Sequence, residues 1–136
     1  MRPILLDTNA YVAFMRGERE IVEVVAHAEK LLVSSVVLGE LLGGFAAGGR
    51  EAKNRAELAR FLASPRVSLL PITANTADSY ALVYAGLKRK GRPIPTNDLW
   101  IAASALEQGA ALLSLDAHFA LVEGLRLGCR MEDFLP

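Results

Sequence analysis

The stretch Ile4-Leu5-Leu6-Asp7-Thr8-Asn9 joins three aliphatic residues to three polar residues that commonly begin helices. A short, wholly apolar run is typical of a strand that is buried on both faces, as in a parallel sheet. Asp, Thr and Asn are preferred helix N-cap residues, so a helix is predicted at residues 9–15. The chain therefore begins with a strand, residues 4–6, that ends at an acid and leads into a helix.

The same alternation of short apolar runs and helical patterns continues along the chain. Further strands are predicted at residues 31–33, 67–70 and 111–115, with a weak strand around 126–129. Further helices are predicted at residues 18–30, 36–42, 51–63, 73–87 and 98–108. Strands that alternate with helices imply an α/β fold, a parallel sheet of four or five strands with helices on both faces.

Composition limits the classes of protein that the chain can represent. Its 136 residues, of which 52% are hydrophobic, fit one domain, residues 1–136. A formal net charge of zero argues against a protein that coats nucleic acid without specificity. Cys129 has no second cysteine to pair with, which fits a reducing compartment. No long uncharged apolar window indicates a membrane span, and Asp7 comes too early for a signal peptide, so we expect a cytoplasmic protein.

Four acids stand where an ionised carboxylate is unexpected. Asp7 and Asp116 each follow a predicted buried strand, Asp98 opens a largely apolar helix, and Glu40 lies within another apolar helix. Each also has an ordinary interpretation: the aspartates can cap a helix or favour its dipole, and Glu40 can occupy a polar helix face. Parallel sheets place their sites beyond the carboxyl ends of strands, where these acids would converge.

A cluster of this kind predicts a site for a divalent cation, because crowded carboxylates repel one another. Oxygen ligands suit Mg²⁺ or Mn²⁺, and the lack of a Cys/His cluster argues against zinc. Such ions activate water and stabilise the charge that develops in phosphodiester cleavage. Ser114 precedes Asp116 by two residues and would point the same way from a strand, so its hydroxyl could hold that carboxylate or a metal-bound water.

The densest basic run is Lys88-Arg89-Lys90-Gly91-Arg92, which leads toward Asp98. Two interpretations stay open: a phosphate-holding surface beside the acids, or the solvated end of a helix, where cations suit the helix dipole. His118 lies two residues beyond Asp116. We interpret it as a surface residue, because metal-activated water needs no histidine base.

These motifs resemble the PIN-domain ribonucleases, and among them the VapC-type toxins of bacterial and archaeal toxin–antitoxin pairs. The resemblance runs along nearly the full chain. It is carried by Ile4-Leu5-Leu6-Asp7-Thr8-Asn9, Ser34-Ser35 with Glu40-Leu41, Pro95-Thr96-Asn97-Asp98-Leu99-Trp100-Ile101-Ala102-Ala103, and Leu113-Ser114-Leu115-Asp116 with Phe119. The third stretch is the most specific, because the family favours an acid followed by Ile-Ala-Ala there.

The resemblance implies a PIN-like α/β/α sandwich with a parallel sheet and Mg²⁺-dependent endoribonuclease activity. It implies that the metal ligands and catalytic acids are Asp7, Glu40, Asp98 and Asp116. Thr8, Asn9 and Asn97 match flanking positions that support these acids. Ser114 stands where the family often has Thr, so the hydroxyl is kept.

The resemblance also implies partners: an RNA substrate, a second copy of the chain in a homodimer, and an antitoxin that covers the acidic groove. The many aliphatic residues between Ala10 and Leu62 could form the docking groove for the antitoxin. A PIN-fold RNA-processing nuclease without a toxin role remains an alternative. A non-catalytic interaction module is disfavoured by the presence of all four acids. A receiver-like signalling domain is disfavoured because Leu69-Leu70-Pro71-Ile72 offers no phosphoacceptor acid after the third strand.

Overall fold

The computed structural model describes residues 1–136 and contains one five-stranded sheet. The strands are β1 (Ile4–Leu6), β2 (Leu31–Ser34), β3 (Val67–Leu70), β4 (Ala111–Leu113) and β5 (Leu127–Gly128). Their order across the sheet is β3-β2-β1-β4-β5, and every neighbouring pair is parallel. The predicted parallel α/β sheet is therefore confirmed, including its weak last strand.

Six α-helices connect and cover these strands. They are α1 (Thr8–Met15), α2 (Arg19–His27), α3 (Ser35–Ala47), α4 (Glu51–Leu62), α5 (Ala74–Lys90) and α6 (Thr96–Glu107). Two short 3-10 helices follow, at Ala117–Leu121 and Met131–Asp133. None of the helices has the length and apolar character needed to span a membrane.

The central strands explain the apolar runs of the sequence. Ile4, Leu5 and Leu6 in β1 have no exposed surface, and neither do Leu112 and Leu113 in β4. Because successive residues of a strand point to opposite faces, complete burial means that both faces of the sheet are covered. Burying each such side chain stabilises the fold by roughly 1.5–3 kcal/mol, so a polar residue inside these strands would be costly.

Several predicted element ends are wrong, and tertiary contacts explain one of them. The helix predicted at residues 18–30 ends at His27, because Ala28 adopts an extended conformation (ψ 130°). The guanidinium of Arg66 donates hydrogen bonds to the carbonyl oxygens of Val25 and Ala28, so it satisfies groups at the end of α2. A residue distant in sequence therefore helps to end this helix.

Two other corrections bear on the site. The strand predicted at residues 111–115 ends at Leu113, so Ser114 and Asp116 lie beyond the sheet edge. The helix predicted to begin at Asp98 begins at Thr96, which places Asp98 in the third helical position. Gly91 ends α5 in the left-handed conformation (φ 64°), because glycine adopts this conformation without steric cost.

The strand order fixes where a site can form. From β1 the chain runs outward to β2 and β3, then returns to β4 on the other side of β1. The strand order thus reverses between β1 and β4, and such a point opens a crevice at the carboxyl ends of the strands. Leu6 pairs with Leu113 across this boundary, so the next residues, Asp7 and Ser114, lie side by side.

Candidate active site

Asp7 lies at the base of the crevice between β1 and β4, with 4% of its surface exposed. One carboxylate oxygen accepts a hydrogen bond from the backbone N–H of Ala10 (2.8 Å), so Asp7 is the N-cap of α1. The other oxygen accepts a hydrogen bond from the Ser114 hydroxyl. The capping interpretation of Asp7 is therefore correct, and it leaves the carboxylate within the acidic cluster.

Ser114 links two of the acids. Its hydroxyl donates to Asp7 and accepts a hydrogen bond from the backbone N–H of Asp116 at 2.9 Å. Asp116 in turn caps the 3-10 helix Ala117–Leu121, because one of its carboxylate oxygens accepts from the backbone N–H of His118 at 3.3 Å. The buried serine holds the segment after β4 against the end of β1.

His118 lies within the acidic cluster, and its interpretation as a surface residue is wrong. Its Nε2 is 2.6 Å from a carboxylate oxygen of Asp98, and its Nδ1 is 2.7 Å from a carboxylate oxygen of Asp116. The sequence offered one signal, the spacing of two residues from Asp116. This spacing brings the two side chains together because the 3-10 helix Ala117–Leu121 places His118 against Asp116, the residue that caps this helix.

Glu40 projects from α3 and is held by two supporting residues. The Thr8 hydroxyl donates to Oε1 at 2.6 Å, and the Asn97 side-chain amide donates to Oε2 at 3.3 Å. Because Asn97 precedes Asp98 at the start of α6, these hydrogen bonds connect α1, α3 and α6. Asn9 makes no such bond but lines a cleft beside Asp116.

Burial and mutual repulsion act on these acids in the same direction. Burial raises the pKa of Asp7, and the neighbouring charges of Asp98 and Asp116 raise it further. The pKa of Asp98 is also raised, again mainly by burial, although contact with His118 opposes the shift. The folded protein therefore disfavours the charged forms of both carboxyl groups at neutral pH.

The donor set fits a divalent cation. The ligand atoms offered by Asp98, Asp116 and His118 all lie within 4.8 Å of one another. Burial is the main cause of the raised pKa values of Asp7 and Asp98, and a cation at this point would offset both the burial and the mutual repulsion of these carboxylates. Most of the candidate ligand atoms are carboxylate oxygens, as the sequence predicts, but one is an imidazole nitrogen of His118, which the sequence did not predict.

The basic run at the end of α5 divides between two surfaces. Lys88 and Arg92 line a groove of about 350 Å³ that also contains Thr96, the first residue of α6. Lys90 lies on another surface, where its ammonium donates to the Leu121 carbonyl at 2.8 Å and lies 3.4 Å from Glu123. Arg89 lines the same second surface. Lys88 and Arg92 therefore border the start of the helix that carries Asp98, whereas Arg89 and Lys90 border its other end, at Leu106.

Comparisons with known proteins agree with the fold. Residues 4–125 match the family model described as PIN domain. Ribonuclease VapC4 of Mycobacterium tuberculosis is 38% identical over 89 residues, which cover 65% of this chain and 68% of the relative. Ribonuclease VapC1 of Haemophilus influenzae strain R2866 is 32% identical over 114 residues, 81% of this chain and 84% of the relative.

Among solved structures, a crystal structure of VapBC2 from Rickettsia felis bound to a DNA fragment from their promoter contains a similar chain. The TM-score is 0.82 at 27% sequence identity, and the match covers 93% of this chain and 97% of the other. The helices and the sheet are thus arranged as in that chain along nearly the whole length of both.

Asp98→Asn is expected to leave the metal-free protein at least as stable as the wild type at pH 7, because burial raises the pKa of the Asp98 carboxyl. Below its ordinary pKa of 3.8, the carboxyl is protonated in both the folded and unfolded states. As the pH rises, the unfolded state loses the proton first, so the wild type loses stability relative to the variant. Each kcal/mol gained would raise Tm by roughly 4 °C in a domain of this size.

The measurement is thermal unfolding of both proteins in chelator at pH 4 and pH 7, repeated with Mg²⁺. The wild type should gain more stability from Mg²⁺ than the variant, because only the wild type keeps all the carboxylates of the cluster. Asp78→Asn, at an exposed acid in α5, is the matched control and should behave as the wild type. A clearly lower Tm for Asp98→Asn in chelator, with a wild type that ignores Mg²⁺, would make Asp98 a structural cap only.

Proposed function

This chain belongs to the PIN domain family, and on that premise we propose that it is a metal-dependent endoribonuclease, the toxin of a type II toxin–antitoxin pair. The observation that carries the proposal is that Asp98 and Asp116 offer ligand atoms within 4.8 Å of each other, while Asp7 and Glu40 lie close enough to add to the repulsion within this cluster. The relatives named Ribonuclease VapC support the same activity. We propose one domain, residues 1–136, which is supported by a single hydrophobic cluster of 30 buried residues.

We assign the metal-binding and catalytic roles to Asp7, Glu40, Asp98 and Asp116. A divalent cation, which we propose to be Mg²⁺ or Mn²⁺, would supply the positive charge that lowers the pKa of an attacking water and offsets the charge developing on the phosphate. Thr8 and Asn97 orient Glu40, and Ser114 orients Asp7, through the hydrogen bonds described above. Asn9 is proposed as a further supporting residue beside Asp116.

The substrate is proposed to be RNA, held by cations beside the acids. Without nearby cations, the phosphates on either side of the scissile bond would be repelled by the negative charge of the carboxylates. Lys88 and Arg92 border the start of α6 and have no acidic partner, although the Lys88 ammonium lies 5.9 Å from the centre of the Tyr84 ring, whereas Lys90 is engaged with Glu123. Cleavage of RNA also leads us to propose the cytoplasm as the compartment in which the protein acts.

The antitoxin is proposed to dock in a cleft between α1, α3 and α4. This cleft has a volume of about 480 Å³ and is lined by Tyr11, Val12, Met15, Arg16, Phe45, Arg50, Lys53, Asn54 and Glu57. Three of these residues are cations and one is an acid, so the cleft suits an acidic peptide segment that also carries an apolar side chain.

Tyr11 supports the assignment of this cleft to a partner. Its side chain is 3% exposed, and its buried hydroxyl has no hydrogen-bond partner within the chain. An unpaired buried hydroxyl is costly, and a carboxylate or carbonyl of a bound peptide could accept a hydrogen bond from it. Burial raises the pKa of Tyr11 to about 12, so the hydroxyl remains a donor at neutral pH.

We also propose a homodimer. Tyr84 of α5 is 48% exposed and stacks on Tyr80 one turn earlier, with the ring centroids 6.3 Å apart. Burial of this aromatic surface against a second copy would remove it from water. Tyr84 lines the same groove as Lys88 and Arg92, so such an interface would lie next to the proposed RNA-binding residues.

The purified protein is expected to cleave single-stranded RNA in Mg²⁺ or Mn²⁺ and to lose this activity in excess chelator. Asp7→Asn, Asp98→Asn and Asp116→Asn should each reduce cleavage by at least two orders of magnitude, on the order of the effect of removing a principal source of electrostatic stabilisation. Gel analysis of end-labelled RNA measures the cleavage, and Asp78→Asn serves as the control. Undiminished cleavage in chelator by protein free of contaminating nuclease would contradict the proposal.

The combined substitution of Lys88→Gln and Arg92→Gln is expected to weaken RNA binding and to flatten its dependence on salt. Each lost phosphate contact should reduce the slope of log K against log salt by roughly 0.7 for single-stranded RNA. Fluorescence anisotropy in an Asp98→Asn background measures binding without cleavage. Lys90→Gln is the matched control and should have a smaller effect, so equal effects of the two changes would refute the division of the basic run.

Expression of the chain alone is expected to arrest bacterial growth, and co-expression of its cognate small protein should relieve the arrest. Arg50→Glu with Lys53→Glu should remain toxic but should no longer be relieved, because the charge of the docking cleft is reversed. Arg19→Glu with Arg55→Glu, which changes charge outside the cleft, is the matched control. Growth curves and co-purification provide the readouts, and full relief of the cleft variant would place the antitoxin elsewhere.

A further inference from the structure

We propose that His118 is a metal ligand of this site, and that its nitrogen increases the preference of the site for a later first-row ion such as Co²⁺ over Mg²⁺. This inference rests on the proposed function, because it concerns the same metal centre. It goes beyond that function by replacing a ligand set of carboxylates alone with one that contains an imidazole. The preference for particular ions would then depend on one residue outside the four acids.

The position of the imidazole carries the proposal. Both of its nitrogens contact acids of the cluster, at 2.6 Å from Asp98 and 2.7 Å from Asp116. One nitrogen would bind the ion, and the other would keep its hydrogen bond to a carboxylate, which is the usual arrangement of a metal-bound histidine. Ligands bound to one ion at about 2.1 Å in octahedral geometry are separated by roughly 3 Å when adjacent and roughly 4 Å when opposite. The ligand atoms of the three residues lie within 4.8 Å of one another, which is compatible with a single shared ion.

The local fold holds His118 over the acids. Its backbone N–H is bound by Asp116 at the start of the 3-10 helix Ala117–Leu121. The next residue, Phe119, is 1% exposed, and its ring centroid lies 5.0 Å from that of the imidazole. The His118 side chain keeps 30% of its surface exposed, so the ligand set remains open to solvent. Because buried Phe119 fixes this segment while the adjacent imidazole is partly exposed, His118 can contact an ion that enters from solution.

A different role for His118 would be that of a counter-charge, a protonated imidazole that neutralises Asp98 and Asp116 and departs when a cation binds. A counter-charge competes with every cation, so its removal would tighten the binding of all of them. A ligand instead forms a bond that favours ions which accept imidazole nitrogen, whereas Mg²⁺ prefers oxygen. The two roles therefore predict opposite effects of removing His118 on the affinity for Co²⁺.

The experiment measures ion binding without RNA. Isothermal titration calorimetry on untagged protein compares Co²⁺ and Mg²⁺ binding to the wild type, His118→Ala and His27→Ala. His27 is the matched control, because it is the other histidine of the chain, is exposed in α2 and bonds the Glu23 carbonyl. The visible absorption of bound Co²⁺ reports a change from nitrogen to oxygen ligands independently of affinity.

We expect the wild type and His27→Ala to bind Co²⁺ more tightly than Mg²⁺. His118→Ala should weaken Co²⁺ binding by about tenfold or more, weaken Mg²⁺ binding much less, and shift the Co²⁺ absorption bands. Unchanged affinities, equal weakening of both ions, or tighter binding of either ion in His118→Ala would overturn the assignment of His118 alone. A wild type that binds neither ion would overturn the metal centre of the proposed function itself.

Thermal unfolding in chelator establishes that each variant is folded before its affinities are compared. If His118→Ala does not fold, His118→Gln replaces it, because glutamine fills similar space and offers an amide instead of an imidazole nitrogen. The same decrease in the ratio of Co²⁺ to Mg²⁺ affinity and the same spectral shift are then expected. Retention of the full wild-type ratio in His118→Gln would refute the proposal.

Discussion

The burial of the Asp7 carboxylate is the constraint on which the rest of the site depends. Asp7 follows the central strand, where three consecutive residues have no contact with solvent. An ionised group at such a position is costly unless it is paired or hydrogen-bonded. Its two hydrogen bonds, from the Ala10 N–H and the Ser114 hydroxyl, come from neutral donors and do not cancel its charge. Burial accordingly raises its pKa, and a cation is the partner that would lower it.

A series of contacts links Asp7 to the other acids of the site. Ser114 joins Asp7 to Asp116, and His118 joins Asp116 to Asp98. On the opposite side, Thr8 follows Asp7 directly and holds Glu40. Because neighbouring members share partners, the effects of substitutions within this series should not add independently. These contacts also depend on the register of the sheet, because the pairing of β1 with β4 places Asp7 beside Ser114.

Charge is segregated on this protein in a way that the net charge of zero conceals. The 15 basic and 15 acidic residues cancel in number, yet four of the carboxylates, those of Asp7, Glu40, Asp98 and Asp116, lie at one edge of the sheet. Cations occupy at least two separate surfaces, the groove with Lys88 and Arg92 and the cleft with Arg50 and Lys53. A nucleic acid and a protein partner can therefore be attracted to different places on one neutral molecule, because local potential rather than total charge guides association.

The sequence by itself determined the strands, the class of fold and the four unusual acids. Burial on both faces of a parallel sheet requires unbroken apolar runs, and an acid at the end of such a run is conspicuous. Tertiary structure alone decided that Thr8 and Asn97 both bind Glu40, that Arg66 helps to end α2, and that the basic run divides between two surfaces. It also placed His118 between two carboxylates. Local patterns report the conformation of neighbouring residues, whereas contacts between side chains from different elements depend on how those elements pack.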